Sequence, residues 1–190
     1  MKNKRVVLPC LVIVLTGIIY ISAKALQKNA THPPDFSGEW KAKESISMGG
    51  NIVCCYDGGD RMLAKTMKIA EQANFLTIEA SSSFPGTALV TSQEKLNFDG
   101  KASEINHGPE RGKKFTVNLS HDRKTMTVKS IVHLMVVTPY HIDVKKQMLV
   151  YVTEVWKLSN DGKTITVQTN AKSNFNSEER SWKTVFDKLG

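Results

Sequence analysis

A ten-residue pattern that occurs twice constrains the fold of this 190-residue chain more than any other feature. Residues 119–128 (LSHDRKTMTV) are matched 39 positions later by residues 158–167 (LSNDGKTITV). In each copy an aspartate-centred turn is followed by Lys-Thr and then by alternating residues, which is typical of a β-hairpin. A hairpin repeated at one spacing indicates that successive strands pair with their sequence neighbours. The repeat therefore predicts an antiparallel up-and-down meander.

Apolar and polar residues also alternate with a period of two outside the repeat, as they do in strands with one buried face. Turn signals such as Asp99-Gly100 and Asp161-Gly162 separate these runs. We expect one all-β domain, a meander of about 8–10 strands that closes into a barrel and so removes its exposed edges. A short helix within residues 61–70 is the one helical alternative. The alternating runs are 40–48, 66–70, 75–80, 88–96, 114–119, 125–138, 147–158, 164–173 and 180–186.

The first 25 residues have the features of an export signal. Lys2, Lys4 and Arg5 precede an uncharged, mostly apolar stretch over residues 6–22, and an Ala-x-Ala site follows at residues 23–25. A cleaved signal peptide is the first interpretation, and an uncleaved N-terminal membrane anchor helix is the alternative. Residues 26–34 read as a linker and residues 35–190 as the barrel domain. Both interpretations place that domain outside the cytoplasm, either periplasmic or extracellular.

The net charge of +8 does not indicate a nucleic-acid partner. Four cations lie in the first 25 residues, which contain no acids, so the remainder carries +4. The other basic residues are scattered and form no patch, whereas nucleic-acid binding needs a clustered one. We expect a solvated surface, and membrane contact only through residues 6–22 if they are retained.

Cys54 and Cys55 are the cysteines of the mature part, and they are adjacent in the sequence. They predict a vicinal disulfide, pairing between chains, or two reduced residues at a loop edge. His133 and His141 lie on either side of Pro139 and lack a third ligand, so we expect no metal site. Nothing in the sequence indicates a cofactor.

The chain resembles the small lipocalin-like proteins exported by Bacteroidetes-type bacteria. The resemblance rests on residues 36–40 (FSGEW), 96–101 (LNFDGK) and 154–167 (EVWKLSNDGKTITV), and it spans roughly residue 35 to the C-terminus. It implies a calycin-type barrel in which the tryptophan of Gly-x-Trp, Trp40, closes one end. It also implies a ligand cavity, and it carries over no catalytic residue. The loop with Cys54 and Cys55 departs from the family pattern.

Glu154 is the residue that alternation most clearly places inside the barrel. It shares a predicted face with Val152 and Trp156, while Arg180 shares a face with Trp182 on the last predicted strand. If the two strands are neighbours, Glu154 and Arg180 form a structural ion pair or hold the polar group of a ligand. We expect the interior to be lined by Trp40, Ile46, Val152, Trp156, Trp182 and Phe186.

No nucleophile–base motif, phosphate-binding glycine loop or HExxH motif occurs in the sequence, so we expect no enzyme activity. The first hypothesis for function is binding of a small, partly apolar ligand inside the barrel. The alternatives are a protein-interaction or inhibitor module that acts through the loop at residues 48–65, and a structural component of the cell envelope.

Overall fold

Ten antiparallel strands and one short 3₁₀ helix, Arg61–Leu63, account for the regular structure of the described residues. These residues are 35–43, 60–83, 88–106, 108–138, 141–175 and 179–190 of a computed structural model. The strands are β1 (Gly38–Ala42), β2 (Thr66–Glu71), β3 (Phe75–Ser82), β4 (Val90–Asn97), β5 (Ser103–Asn106), β6 (Arg111–Leu119), β7 (Thr125–Thr138), β8 (His141–Leu158), β9 (Thr164–Ser173) and β10 (Arg180–Lys188).

The strands follow one another around a nearly closed barrel. Their order in the sheet is β4-β3-β2-β1-β10-β9-β8-β7-β6-β5, so the last strand returns to the first. Trp40 on β1 lies opposite Lys188 on β10 in that closing pair. The predicted all-β meander is confirmed. The two edges of the sheet are β4 and β5, and the seam between these edges has no backbone strand pairing among the described residues.

Local structure around the short helix differs from the helical expectation for residues 61–70. Asp60 caps the 3₁₀ helix, since its side chain accepts a hydrogen bond from the Met62 amide at 2.9 Å. The helix ends at Leu63, and β2 begins at Thr66. Met67 and Ile69 are both buried, so their burial on the sheet outweighs the helix propensity of the segment.

The two copies of the repeat form equivalent turns, β6–β7 and β8–β9. Ser120 Oγ accepts the Thr125 amide at 2.9 Å, and Ser159 Oγ accepts the Thr164 amide at the same distance. Backbone hydrogen bonds close both turns in the same way, since the amides of Ser120 and Ser159 donate to the carbonyls of Thr125 and Thr164. The repeat in the sequence is therefore a repeat in the structure.

The motif Gly38-Glu39-Trp40 has a steric explanation. Gly38 has a φ of 135°, and a Cβ at this position would lie 2.5 Å from Cε of Lys188. The absence of a side chain lets Lys188 cross β1, where its Nζ lies 5.2 Å from the centroid of the Trp40 ring. The indole of Trp40 is fully buried and donates to the Phe36 carbonyl at 2.9 Å.

Buried apolar residues form two clusters. The larger one is called cluster A, and its buried members are Phe36, Trp40, Ala64, Met67, Ile69, Leu76, Ile78, Ala80, Leu96, Phe115, Val117, Met126, Val128, Trp156, Leu158, Ile165, Val167 and Phe186. Cluster B contains Met62, Val132, Leu134, Met148, Val150, Val152 and Ala171, with Leu63, Val136 and Trp182 packed against it.

Several sequence predictions fall on residues outside the described part of the chain. They concern the signal segment 1–25, the linker 26–34, Ile46, and the pair Cys54 and Cys55. Among the described residues, no helix has the length and hydropathy needed to cross a bilayer.

Arg123 provides a test of the turn structure. It has a φ of 56°, where the equivalent residue of the second turn is Gly162 with 69°. Its Nε donates to Oε1 of Glu71 at 2.9 Å, and its Nη2 donates to the Gln72 carbonyl at 3.0 Å. We predict that Arg123→Gly relaxes the turn but lowers the free energy of unfolding by about 1–2 kcal/mol, because the buried Glu71 loses its cation. Urea denaturation measures this, and an unchanged midpoint would contradict it.

Candidate functional site

A layer of polar side chains separates the two apolar clusters inside the barrel. On β8, Glu154 lies between Trp156 of cluster A and Val152 of cluster B. Thr169 on β9 lies in the same way between Val167 and Ala171. The polar layer comprises Glu94 on β4, Lys113 on β6, Ser130 on β7, Glu154 on β8, Thr169 on β9, and Asp60 and Arg61 from the segment before β2.

Arg61 is the centre of this layer. Its side chain is fully buried and binds Glu154 with two hydrogen bonds, Nη2 to Oε1 at 2.6 Å and Nε to Oε2 at 3.2 Å. Its Nη1 donates to Oε2 of Glu94. The planar guanidinium can satisfy two carboxylates at once. Arg61 thereby connects β8 to β4 through the interior of the barrel.

Lys113 is the second cation of the layer. Its Nζ lies 3.3 Å from Oδ2 of Asp60 and 3.5 Å from Oε1 of Glu94. Lys113 is on β6 and Glu94 is on β4, so this ion pair spans the seam between the two edges of the sheet. Three carboxylates and two cations therefore share one buried cluster.

Electrostatic shifts of pKa agree with this geometry. Burial alone would lower the pKa of Arg61, but the carboxylates of Glu154, Glu94 and Asp60 outweigh burial and raise it further above its ordinary value. Burial alone would raise the pKa of Asp60, but Lys113, Arg61 and the hydrogen bond from the Met62 amide lower it below 3.8. Both groups stay charged at neutral pH.

The structure places the predicted site residues in different surroundings. Glu154 is inside the barrel, as expected, with an exposed fraction of 0%, and it accepts a hydrogen bond from Trp156 Nε1 at 2.9 Å. Its ion-pair partner is Arg61. The expected Arg180 is not a cross-strand neighbour, because β9 lies between β8 and β10 and Arg180 is opposite Ala171.

Of the expected lining residues, Trp40, Val152, Trp156 and Phe186 are buried and Trp182 is half-buried. Trp40 and Phe186 belong to cluster A with Trp156, so they lie on one side of the polar layer. Trp182 packs against cluster B on the other side. Most of the loop at residues 48–65, which carries the interaction-module alternative, lies outside the described residues.

Four buried polar atoms of the interior have no hydrogen-bond partner among the described residues. They are Ser130 Oγ, Thr169 Oγ1, Trp182 Nε1 and Glu94 Oε1. Trp182 is directly opposite Thr169, and Thr169 is directly opposite Glu154. The indoles of Trp40 and Trp156 differ from that of Trp182, because each donates to an oxygen at 2.9 Å. Buried polar groups are normally paired, so these four atoms require an explanation.

Four charged residues of the layer, Asp60, Arg61, Glu94 and Lys113, are not among the site residues that the sequence predicts. Alternation could have found Glu94 and Lys113. Each is two residues from a buried apolar residue on its own strand, Leu96 on β4 and Phe115 on β6, and therefore lies on the inward face. Arg61 has none, because it lies in a short 3₁₀ helix, where the period-two alternation of strands does not apply.

The described residues contain no group of three or more His, Cys, Asp or Glu that could hold a metal ion. His133 lies on the other face of β7, over Gly112 of β6, where a Cβ would be 2.3 Å from its Cε1. The glycine thus makes room for the imidazole ring.

Comparisons with known proteins give no relative of this chain. No protein-family model matches the sequence, and no curated protein and no solved structure is significantly similar to it. The nearly closed antiparallel barrel is compatible with a lipocalin-like fold.

Acid titration tests the charge arrangement around Asp60. Because the pKa of Asp60 is lowered in the folded protein, its carboxylate stabilises the fold above pH 3.8 and loses this effect as the pH falls further. We predict that Asp60→Asn loses less stability than the wild type between pH 5 and about pH 2. Lys113→Met should lose folding stability at a higher pH during acidification, since it removes one of the causes that lower the pKa of Asp60. Urea denaturation across this range measures both, and superimposable profiles would contradict the prediction.

Proposed function

We propose that the barrel binds a small amphipathic molecule whose polar group meets the polar layer and whose apolar part packs on cluster B. The observation that carries this proposal is the set of unpartnered buried groups Ser130 Oγ, Thr169 Oγ1 and Trp182 Nε1. They lie on β7, β9 and β10, and β8 with Glu154 runs between β7 and β9. Ligand sites in proteins combine an apolar lining with a few polar groups, and cluster B together with these three groups offers that combination.

The destabilisation caused by these unpaired buried groups supports a binding role. A buried donor or acceptor without a partner destabilises a protein by about 1–3 kcal/mol, whereas an apolar residue of similar shape costs little. Thr169 has an exposed fraction of 0% and Ser130 one of 4%. A bound molecule with a hydroxyl or a similar group would complete their hydrogen bonds. These unpaired groups destabilise the free protein, so hydrogen bonds to a ligand would make the complex more favourable than the free state.

The apolar side of the layer suits a ligand of variable shape. Cluster B contains Met62 and Met148, and Leu63 and the half-buried Trp182 pack against it. Methionine side chains are flexible and adapt to different apolar surfaces. We therefore place the apolar part of the ligand against these residues, and we infer binding rather than catalysis.

The wider biological setting is part of the same proposal. The resemblance of residues 36–40, 96–101 and 154–167 to exported lipocalin-like proteins supports a place in that family. The charged, apolar and Ala-x-Ala elements of residues 1–25 support export to the periplasm or the exterior. A ligand carrier outside the cytoplasm is consistent with both.

The indole N–H groups of the three tryptophans give a direct test. We predict that titration of ¹⁵N-labelled protein with 1-octanol, a neutral amphiphile, moves the indole resonance of Trp182, because this N–H lacks an acceptor. The resonance of Trp40 should stay in place, since its donor is occupied by the Phe36 carbonyl. Single Trp→Phe variants assign the three peaks. If saturating octanol leaves all three resonances unchanged, the proposed function is wrong.

Thr169→Val separates a binding role from a structural one. We predict that it raises the free energy of unfolding of the free protein by about 1 kcal/mol, because an unpaired buried hydroxyl is replaced by a methyl group. The same change should weaken octanol binding about threefold to tenfold, which corresponds to one lost hydrogen bond.

The matched control is Thr91→Val on β4, whose exposed hydroxyl is hydrogen-bonded to Ser81 at 2.8 Å. It should leave octanol affinity unchanged. Urea denaturation and isothermal titration measure the two quantities. A Thr169→Val protein that is both less stable and equally able to bind octanol would show that the hydroxyl has a structural role.

A further inference from the structure

We propose that the molecule bound at the polar layer carries a protonated amine, which pairs with Glu94. This inference rests on the proposed function and adds the chemical class of the ligand. It follows from the charge balance of the layer and from the surroundings of one carboxylate oxygen.

The charges of the layer are unequal. Asp60, Glu94 and Glu154 contribute three formal negative charges, and Arg61 and Lys113 contribute two positive ones. The side chains are largely removed from water, with exposed fractions of 15% for Asp60, 10% for Glu94 and 9% for Lys113. One negative charge is therefore in excess in a place where the solvent compensates it poorly. A cationic ligand would neutralise the cluster.

Among the carboxylate oxygens of the layer, Oε1 of Glu94 is the one without a hydrogen bond from a described residue. The other oxygen, Oε2, accepts from Arg61 Nη1. Oε1 is buried, and Lys113 Nζ faces it at an ion-pair distance of 3.5 Å without donating a hydrogen bond to it. Lys113 also faces Asp60 at 3.3 Å, so its charge is shared between two carboxylates. An ammonium group supplies the missing donor and the missing charge together.

The same contacts argue against an anionic ligand. All three hydrogen-bonding nitrogens of Arg61 are directed at Glu154 and Glu94, and Lys113 lies between two carboxylates. A ligand carboxylate would raise the excess to two negative charges and would have to displace an existing ion pair. A bound metal ion is not favoured either, because the described residues offer no cluster of three metal ligands.

Three probes with the same chain and different polar groups test the inference on the full-length protein. Octylamine, 1-octanol and octanoate are titrated at pH 7 by isothermal calorimetry, with the indole resonance of Trp182 as a second readout. We expect octylamine to bind about tenfold more tightly than octanol, and octanoate to bind most weakly. Equal affinity for octylamine and octanol would overturn the amine inference and leave the proposed function intact. If none of the three binds, both are wrong.

Glu94→Gln identifies the responsible group. It leaves two carboxylates and two cations in the layer, and the amide oxygen can still accept from Arg61, so the folded protein stays balanced in charge. We expect the preference for octylamine to disappear while octanol affinity changes less than threefold. The matched control is Glu79→Gln on β3, which lies exposed opposite Lys68 and should keep the preference. A preference that survives in Glu94→Gln would exclude Glu94 as the amine partner. If Glu94→Gln does not fold, the comparison of the three probes on the wild type still decides the ligand class.

Discussion

The buried pair of Arg61 and Glu154 is the interaction on which the interior of this barrel depends. It anchors the segment before β2 to β8, and through Glu94 it also reaches β4. Removing these charges from water is costly, and only good geometry with further hydrogen bonds compensates for the cost. The two hydrogen bonds from Arg61 and the third from Trp156 provide that compensation for Glu154. In some proteins a buried pair of this kind fixes one arrangement of the elements rather than adding net stability.

The seam shows why that arrangement has to be fixed. β4 and β5 are the edges of the sheet, and the ion pair between Glu94 and Lys113 crosses the seam by joining β4 to β6, the strand that pairs with β5. An unpaired edge invites pairing with another chain, and inward-pointing charges and short edge strands are known protections. Both occur here, since Glu94 points inward and β5 has only four residues. The polar layer thus closes the barrel where backbone hydrogen bonds between β4 and β5 do not.

The sequence predicts those parts of this structure that depend on local rules. The turn residues around Asp122 and Asp161 specify both hairpins, and alternation correctly places Glu154 and Trp156 inside. The partner of Glu154 depends on a contact between residues 93 positions apart, for which no local rule exists. Arg180 was the natural candidate as long as the last strand could lie beside β8. The intervening β9 removes that possibility, because the meander continues in strict order to β10.

The polar layer also bears on the relation between stability and function. Alternating strands of a barrel can place apolar residues at their inward positions, and clusters A and B show that this chain does so at most of them on both sides of the layer. Between them, Ser130 and Thr169 keep hydroxyl groups that have no partner among the described residues. Where local pattern and packing agree elsewhere, a position that departs from them is expected to be functional. Thr169 is directly opposite Glu154. A polar ligand group bound at these hydroxyls would therefore lie near the charged residues that also join β4 to β6. Under the proposed function, strand closure and ligand recognition would share the charged residues of the layer, so a change at Glu94 would alter both.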